Sequence, residues 1–244
     1  MSATIAALAK PANNVLTPMV VVSPIKGAYV QHPHTSARNF PQIQSAFGTR
    51  KAGETTPCLV SDSRITPLDP LDFFMTGFYA QYNAEQNSLG EYVTTYPITA
   101  SAPKGVKECI DSVVICILPA DADGAPPTFV PARMRLKAGK CRLLTSAYDR
   151  LAEMQLTDKK LQTLTKLGLE PYNLLHFTAA YETATAKVSK KPYVVASAEP
   201  EQTTPDLAKA LLAAMKTPDF IAAYNVCVEG YEETLAGVKA LGNW

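Results

Sequence analysis

The stretch Ser112-Val113-Val114-Ile115-Cys116-Ile117-Leu118 constrains this chain more than any other. Its apolar character is continuous rather than alternating, so the strand it forms needs cover on both faces. It belongs at the centre of a layered body, with Cys116 as a small core residue. Pro119 to Pro127, PADADGAPP, then makes a turn-forming loop.

The next stretch, Phe129 to Tyr148, reads FVPARMRLKAGKCRLLTSAY and holds Arg133, Arg135, Lys137, Lys140 and Arg142. No Asp or Glu occurs between Asp123 and Asp149. Arg133, Arg135 and Lys137 share one parity and Met134 and Leu136 the other, which predicts a strand with cations on one face. Gly139 interrupts it, and a helix follows from Lys140 to Gln155. A one-sided basic strand is a track for a polyanion, because each phosphate contact releases condensed counterions. The alternative for the same residues is a solvated edge strand, where cations discourage association between sheets.

Residues 72 to 98 concentrate aromatics: Phe73, Phe74, Phe78, Tyr79, Tyr82, Tyr92 and Tyr96. They flank a polar insert, Asn83 to Gly90, which predicts two antiparallel strands joined by a loop. Phe74, Phe78 and Tyr82 share one parity, and Phe73 and Tyr79 the other, so one set fills a core while the other faces out. Exposed aromatics beside cations suit single-stranded nucleic acid, whose bases stack on rings while cations follow the backbone. The alternative is that all these rings are core.

Composition narrows the classes. Hydrophobic residues make up 47% and charged residues 18% of the 244-residue chain, as in a soluble globular protein of one domain with appendages. Net charge is +1, so affinity for a polyanion has to come from local clustering. Cys58, Cys109, Cys116, Cys141 and Cys227 form no CxxC pair, and the only histidines are His32, His34 and His176. No zinc site or other cofactor is expected, and the thiols read as reduced, in a cytoplasmic compartment. No apolar run approaches the roughly 18 residues of a membrane helix, and the start, MSATIAALAKPANN, lacks the basic segment of a signal peptide. GxxxxGK[ST], GxGxxG and GxSxG are all absent, and His176 in LLHFTAAY reads as a satisfied core histidine. The chain is not expected to be an enzyme.

Residues 1–52 are a proline-punctuated arm, with strand candidates at Met19 to Val22 and Gly27 to Val30. Residues 53–199 are the β-rich body, containing a short strand at Cys58 to Val60 and a helical insert over 140–168. The second helix of that insert spans Thr157 to Leu167, and Pro67 and Pro70 exclude a regular ladder around them. A further β pair runs from Tyr172 to Ala186 and from Pro192 to Ser197, with Lys187, Lys190 and Lys191 beside Tyr193 as a second cation-plus-aromatic cluster. Residues 200–244 are acid-rich and helical. One helix covers Pro205 to Lys216, and Thr217-Pro218-Asp219 starts another. Its stripe of Phe220, Tyr224, Val228, Tyr231, Leu235 and Val238 must pack on the body or on another subunit.

The order PARMRLKAGKCRLL, helical insert, HFTAAYETATAKVSKKPYVVAS and acid-rich end resembles the single-stranded DNA-binding proteins of some bacteriophages. The resemblance covers about residues 110 to 200 and rests on segment order and character. It implies an α+β fold: an antiparallel OB-like barrel or sheet with a helical insertion and a helical C-terminal segment. The function implied is binding of single-stranded DNA, without sequence preference, in phage replication or recombination, with the C-terminal segment recruiting partner proteins. The residues assigned to phosphates are Arg133, Arg135, Lys137, Lys140, Arg142, Lys187, Lys190 and Lys191. The stacking candidates are Tyr79, Tyr82, Tyr92, Tyr96 and Tyr193. The chain departs from the pattern in its last residues, LAGVKALGNW, which carry no acidic tip. The rival expectation is a viral structural or scaffold protein, oligomerising through its arm and C-terminal helix.

Overall fold

The continuous apolar run is the middle of a longer strand, β6 (Lys107–Leu118), in which every residue from Cys109 to Ile117 is buried. Around it the computed structural model describes residues 19–22, 28–31, 65–68, 71–88, 91–101, 103–118, 124, 126–157, 175–187, 190, 192–242 and 244. The other strands among them are β1 (Met19–Val22), β2 (Ala28–Gln31), β3 (Ile65–Leu68), β4 (Asp72–Gln86), β5 (Tyr92–Pro97), β7 (Thr128–Lys137), β8 (Leu175–Thr185) and β9 (Pro192–Gln202). They form one sheet in the order β3-β2-β1-β7-β6-β4-β8-β9, with β5 also paired to β4. Among the described residues the fold is mixed α+β, a curled half-barrel sheet with three α-helices. Among the described residues no helix is long and apolar enough to cross a membrane.

The expectation of an antiparallel sheet is corrected, because β1 runs parallel to β7 (Met19 opposite Arg133, Val20 opposite Met134). A parallel pair needs a long crossover, and here more than 100 residues separate the two strands, beyond the reach of local pattern reading. The arm therefore packs along the body, at least through β1 and β2. Pro67 does sit in a ladder, opposite Tyr29, but in β3 at the sheet's edge, where a missing N–H can face away from the neighbour. Thr157, expected to start a second helix, ends α1 (Arg142–Thr157) instead; the rest of that helix to Leu167, the strand expected at Cys58 to Val60, and His32 and His34 lie outside the described residues.

β4 bends the sheet. Its register against β6 shifts between Met75 and Tyr79, and Gly77 inside that bulge takes φ 86°. Two strands share its edge opposite β6: β8 at Asp72 and Phe73, and β5 from Tyr82 onward. The bulge preserves the alternation, yet neither face of β4 is open. Phe73 and Met75 join β1, β6, β7, β8 and β9 in a core capped by Leu143, Leu144, Ala147 and Leu151 of α1 (Arg142–Thr157). On the opposite face, Phe74 packs with Leu211 of α2 (Pro205–Ala214) and Phe220 of α3 (Pro218–Ala240). Phe78 meets the edges of Tyr224 and Tyr231 of α3, and Tyr82 packs with Val238. The expectation that one aromatic set faces outward is thus corrected: α1 covers one face and α3 the other.

α3 begins where its caps predict. Thr217 Oγ1 accepts from the Phe220 N–H at 3.3 Å and Pro218 occupies the first turn. The apolar stripe then lies along the chain's own sheet, burying Phe220, Tyr231 and Val238, with Cys227 added between them. Thr217→Ala is expected to lower stability by about 1 kcal/mol by freeing that N–H. A urea titration should show a lower midpoint with an unchanged m-value.

Candidate nucleic-acid interface

The cationic face of β7 forms as its alternation predicts. Arg133, Arg135 and Lys137 stand opposite Val113, Asp111 and Cys109 of β6. That face lies under α3, and its covering changes from one end to the other.

Arg133 is 4% exposed and donates from Nη2 to Thr234 Oγ1 of α3. Burial lowers its pKa, with the neighbouring Arg135 charge acting the same way. One residue pair along, Arg135 Nε donates to Asp111 Oδ1 at 2.6 Å, and Tyr82 OH donates to Asp111 Oδ2 at 2.6 Å. Burial pulls the Arg135 pKa down, but the Asp111 charge and hydrogen bond outweigh it, and the net direction is up. The Tyr82 phenol is pushed far up, by burial first and by Asp111 second.

The cover thins at the far end of β7. Lys137 Nζ stands 5.0 Å from the centroid of the half-buried Tyr92 ring, and the Arg135 guanidinium carbon 6.0 Å from it. Such cation–π distances fix both cations beside one ring. Burial lowers the Lys137 pKa, and Arg135 and Lys107 add to the lowering. Positive charge is therefore crowded at this corner, where β5, β6 and β7 end together.

The sequence-derived residues separate into groups. Arg135, Lys137, Tyr92 and the buried Tyr82 come together at this corner. Arg133 and Tyr82 are inside the protein, where neither can meet a ligand in this arrangement. Lys140 Nζ donates to Val22 O at 2.9 Å and so ties the 3₁₀ turn Ala138–Cys141 to β1. Tyr79 lies on the α1 face, its ring 4.1 Å from Tyr148 and its hydroxyl donating to Gln81. Tyr96 is half-buried on β5, and Arg142, Lys187 and Lys190 are exposed. Lys191 and the Tyr193 side chain lie outside the described residues. Lys107 was missed, because a lone lysine before an apolar strand has no pattern; only the pairing of β6 with β7 brings it near Lys137.

A second polar cluster joins β4, β8 and β9. His176 Nε2 lies 3.0 Å from Glu201 Oε2, and Thr178 Oγ1 lies 2.6 Å from Asp72 Oδ1 and 3.1 Å from Glu201 Oε1. The single hydroxyl proton of Thr178 serves one carboxylate at a time. His176 is a core histidine as expected, but only Nε2 is partnered among the described residues and the buried Nδ1 is not. Among the described residues no group of three or more His, Cys, Asp or Glu side chains is placed to hold a metal ion.

The chain matches no family model, no curated protein and no solved structure.

Proposed function

We propose that this chain binds single-stranded DNA without strong sequence preference, in phage-type replication or recombination, at the corner formed by Tyr92, Arg135, Lys137 and Lys107. The observation that carries the reading is the pair of cations held beside one partly exposed tyrosine ring. A flexible single strand can lay a base on a ring and its phosphates on neighbouring cations, whereas duplex bases are already stacked. The half-barrel is taken as an OB-like body, with α1 as the helical insertion between β7 and β8. Assembly as a scaffold is the weaker reading, since the α3 stripe it would use is covered by the chain's own sheet.

A salt series tests this directly. Each phosphate contact on a single strand contributes about 0.7 to the slope of log affinity against log salt. Lys107→Ala with Lys137→Ala is expected to make the negative slope for an oligothymidine shallower by roughly 1.4. Arg133→Ala should leave the slope as it is and act on stability instead. Equal slopes for wild type and the double variant would remove both lysines from the site.

A further inference from the structure

We infer that Trp244 is a fixed stacking platform for a nucleobase, placed beside the Tyr92 corner; the inference rests on the function proposed above. Trp244 is the chain's single tryptophan and, at 46% exposed, the most solvent-open of its large described apolar residues.

Its placement centres on Thr95. Indole Nε1 donates to Thr95 Oγ1 at 3.1 Å, and the same Thr95 hydroxyl donates to Val238 O at 2.6 Å. The Thr95 N–H donates to Leu241 O at 3.4 Å, and Gly242 bridges Thr95 in parallel. A Cβ on Gly242 would come within 2.1 Å of Thr95 O, so this close approach requires glycine. The last turn of α3 is thereby clasped to β5, and the indole joins the clasp through its Nε1 hydrogen bond to Thr95.

The ring also belongs to an aromatic series. Trp244 meets Tyr82 at 6.3 Å and 62°, and Tyr82 meets Tyr92 at 6.0 Å and 88°. Trp244 and Tyr92 therefore flank one fully buried ring, and Arg135 and Lys137 stand on the Tyr92 side. A large aromatic side chain held by a hydrogen bond on a solvent-exposed residue loses little entropy when a flat partner stacks on it. Cations a ring or two away select a base that carries phosphate over an uncharged aromatic ligand.

The test uses the full chain and unlabelled oligothymidine at low salt, following tryptophan emission, with anisotropy of a labelled oligothymidine in parallel. Emission should quench in step with the anisotropy rise. Trp244→Ala should weaken binding roughly tenfold, toward the lower end of the range for one base–aromatic stack. It should leave the salt slope unchanged, because stacking releases no counterions. Trp244→Phe should recover most of the affinity. If Trp244→Ala does not fold, the wild-type quench still decides. Binding by anisotropy with constant emission, or a Trp244→Ala affinity equal to wild type, would overturn the platform and leave the nucleic-acid reading standing. No anisotropy change at low salt would overturn that reading itself.

Discussion

Asp111→Leu should cost about 3 kcal/mol of stability, the lower end of what breaking a buried ion pair costs. Asp111 is buried between Arg135 and Tyr82, and each of its carboxylate oxygens accepts one hydrogen bond at 2.6 Å. Removing it leaves a guanidinium and a phenol under α3 without their acceptor, while Arg133 adds repulsion from the next position. The lower end applies because the Arg135 side chain is 29% exposed and water offsets part of its loss. Against a total stability of about 5–15 kcal/mol this is a large fraction. Asp111→Leu combined with Arg135→Met should restore most of it, since an apolar pair of similar volume avoids the desolvation of both charges. Denaturant titration of wild type and both variants measures each term. A single-variant loss below about 1 kcal/mol would mean that Arg135 finds another acceptor.

The same residues show how far the sequence could be read. Alternation in β7 correctly grouped Arg133, Arg135 and Lys137, because a two-residue period is a local property of the strand. What covers that face is not local: α3 starts 80 residues later, and nothing in PARMRLK reports its position. The helix itself was legible, since Thr217-Pro218 is a start signal with a mechanism and the spacing from Phe220 to Val238 defines a face. Gly77 in MTGF could have announced the bulge in β4, as a glycine inside an aromatic strand often does. The parallel pairing of β1 with β7 had no signal at all. Trp244 likewise gave none, because its importance comes from Thr95, which reaches it only through the fold.

Raising the pH should unfold this protein cooperatively between about pH 10 and 11, before its buried tyrosines titrate. Burial pushes the Cys227 thiol from 9.0 up to about 12, and raises Cys116 and Cys141 as well. Burial likewise moves Tyr79 from 10.0 to about 12 and raises Tyr82, Tyr92 and Tyr148. All these groups keep their protons longer in the folded chain than in the unfolded one. Their contribution is complete below the unfolded values of 9.0 for thiols and 10.0 for phenols. It is lost as pH rises from there through the folded values. Each proton held only by the folded state removes about 1.4 kcal/mol per pH unit. Cys116, Cys141 and Cys227 together give a slope of roughly 4 kcal/mol per unit above pH 9, and Tyr82 steepens it above pH 10. Such a slope consumes a typical stability within about two units. Tyrosinate absorbance and helical circular dichroism should therefore change together, in one sharp step. Ionisation of the Tyr82 phenol near pH 10 with the helices intact would show instead that Tyr82 is open to water, and that α3 does not close over the sheet.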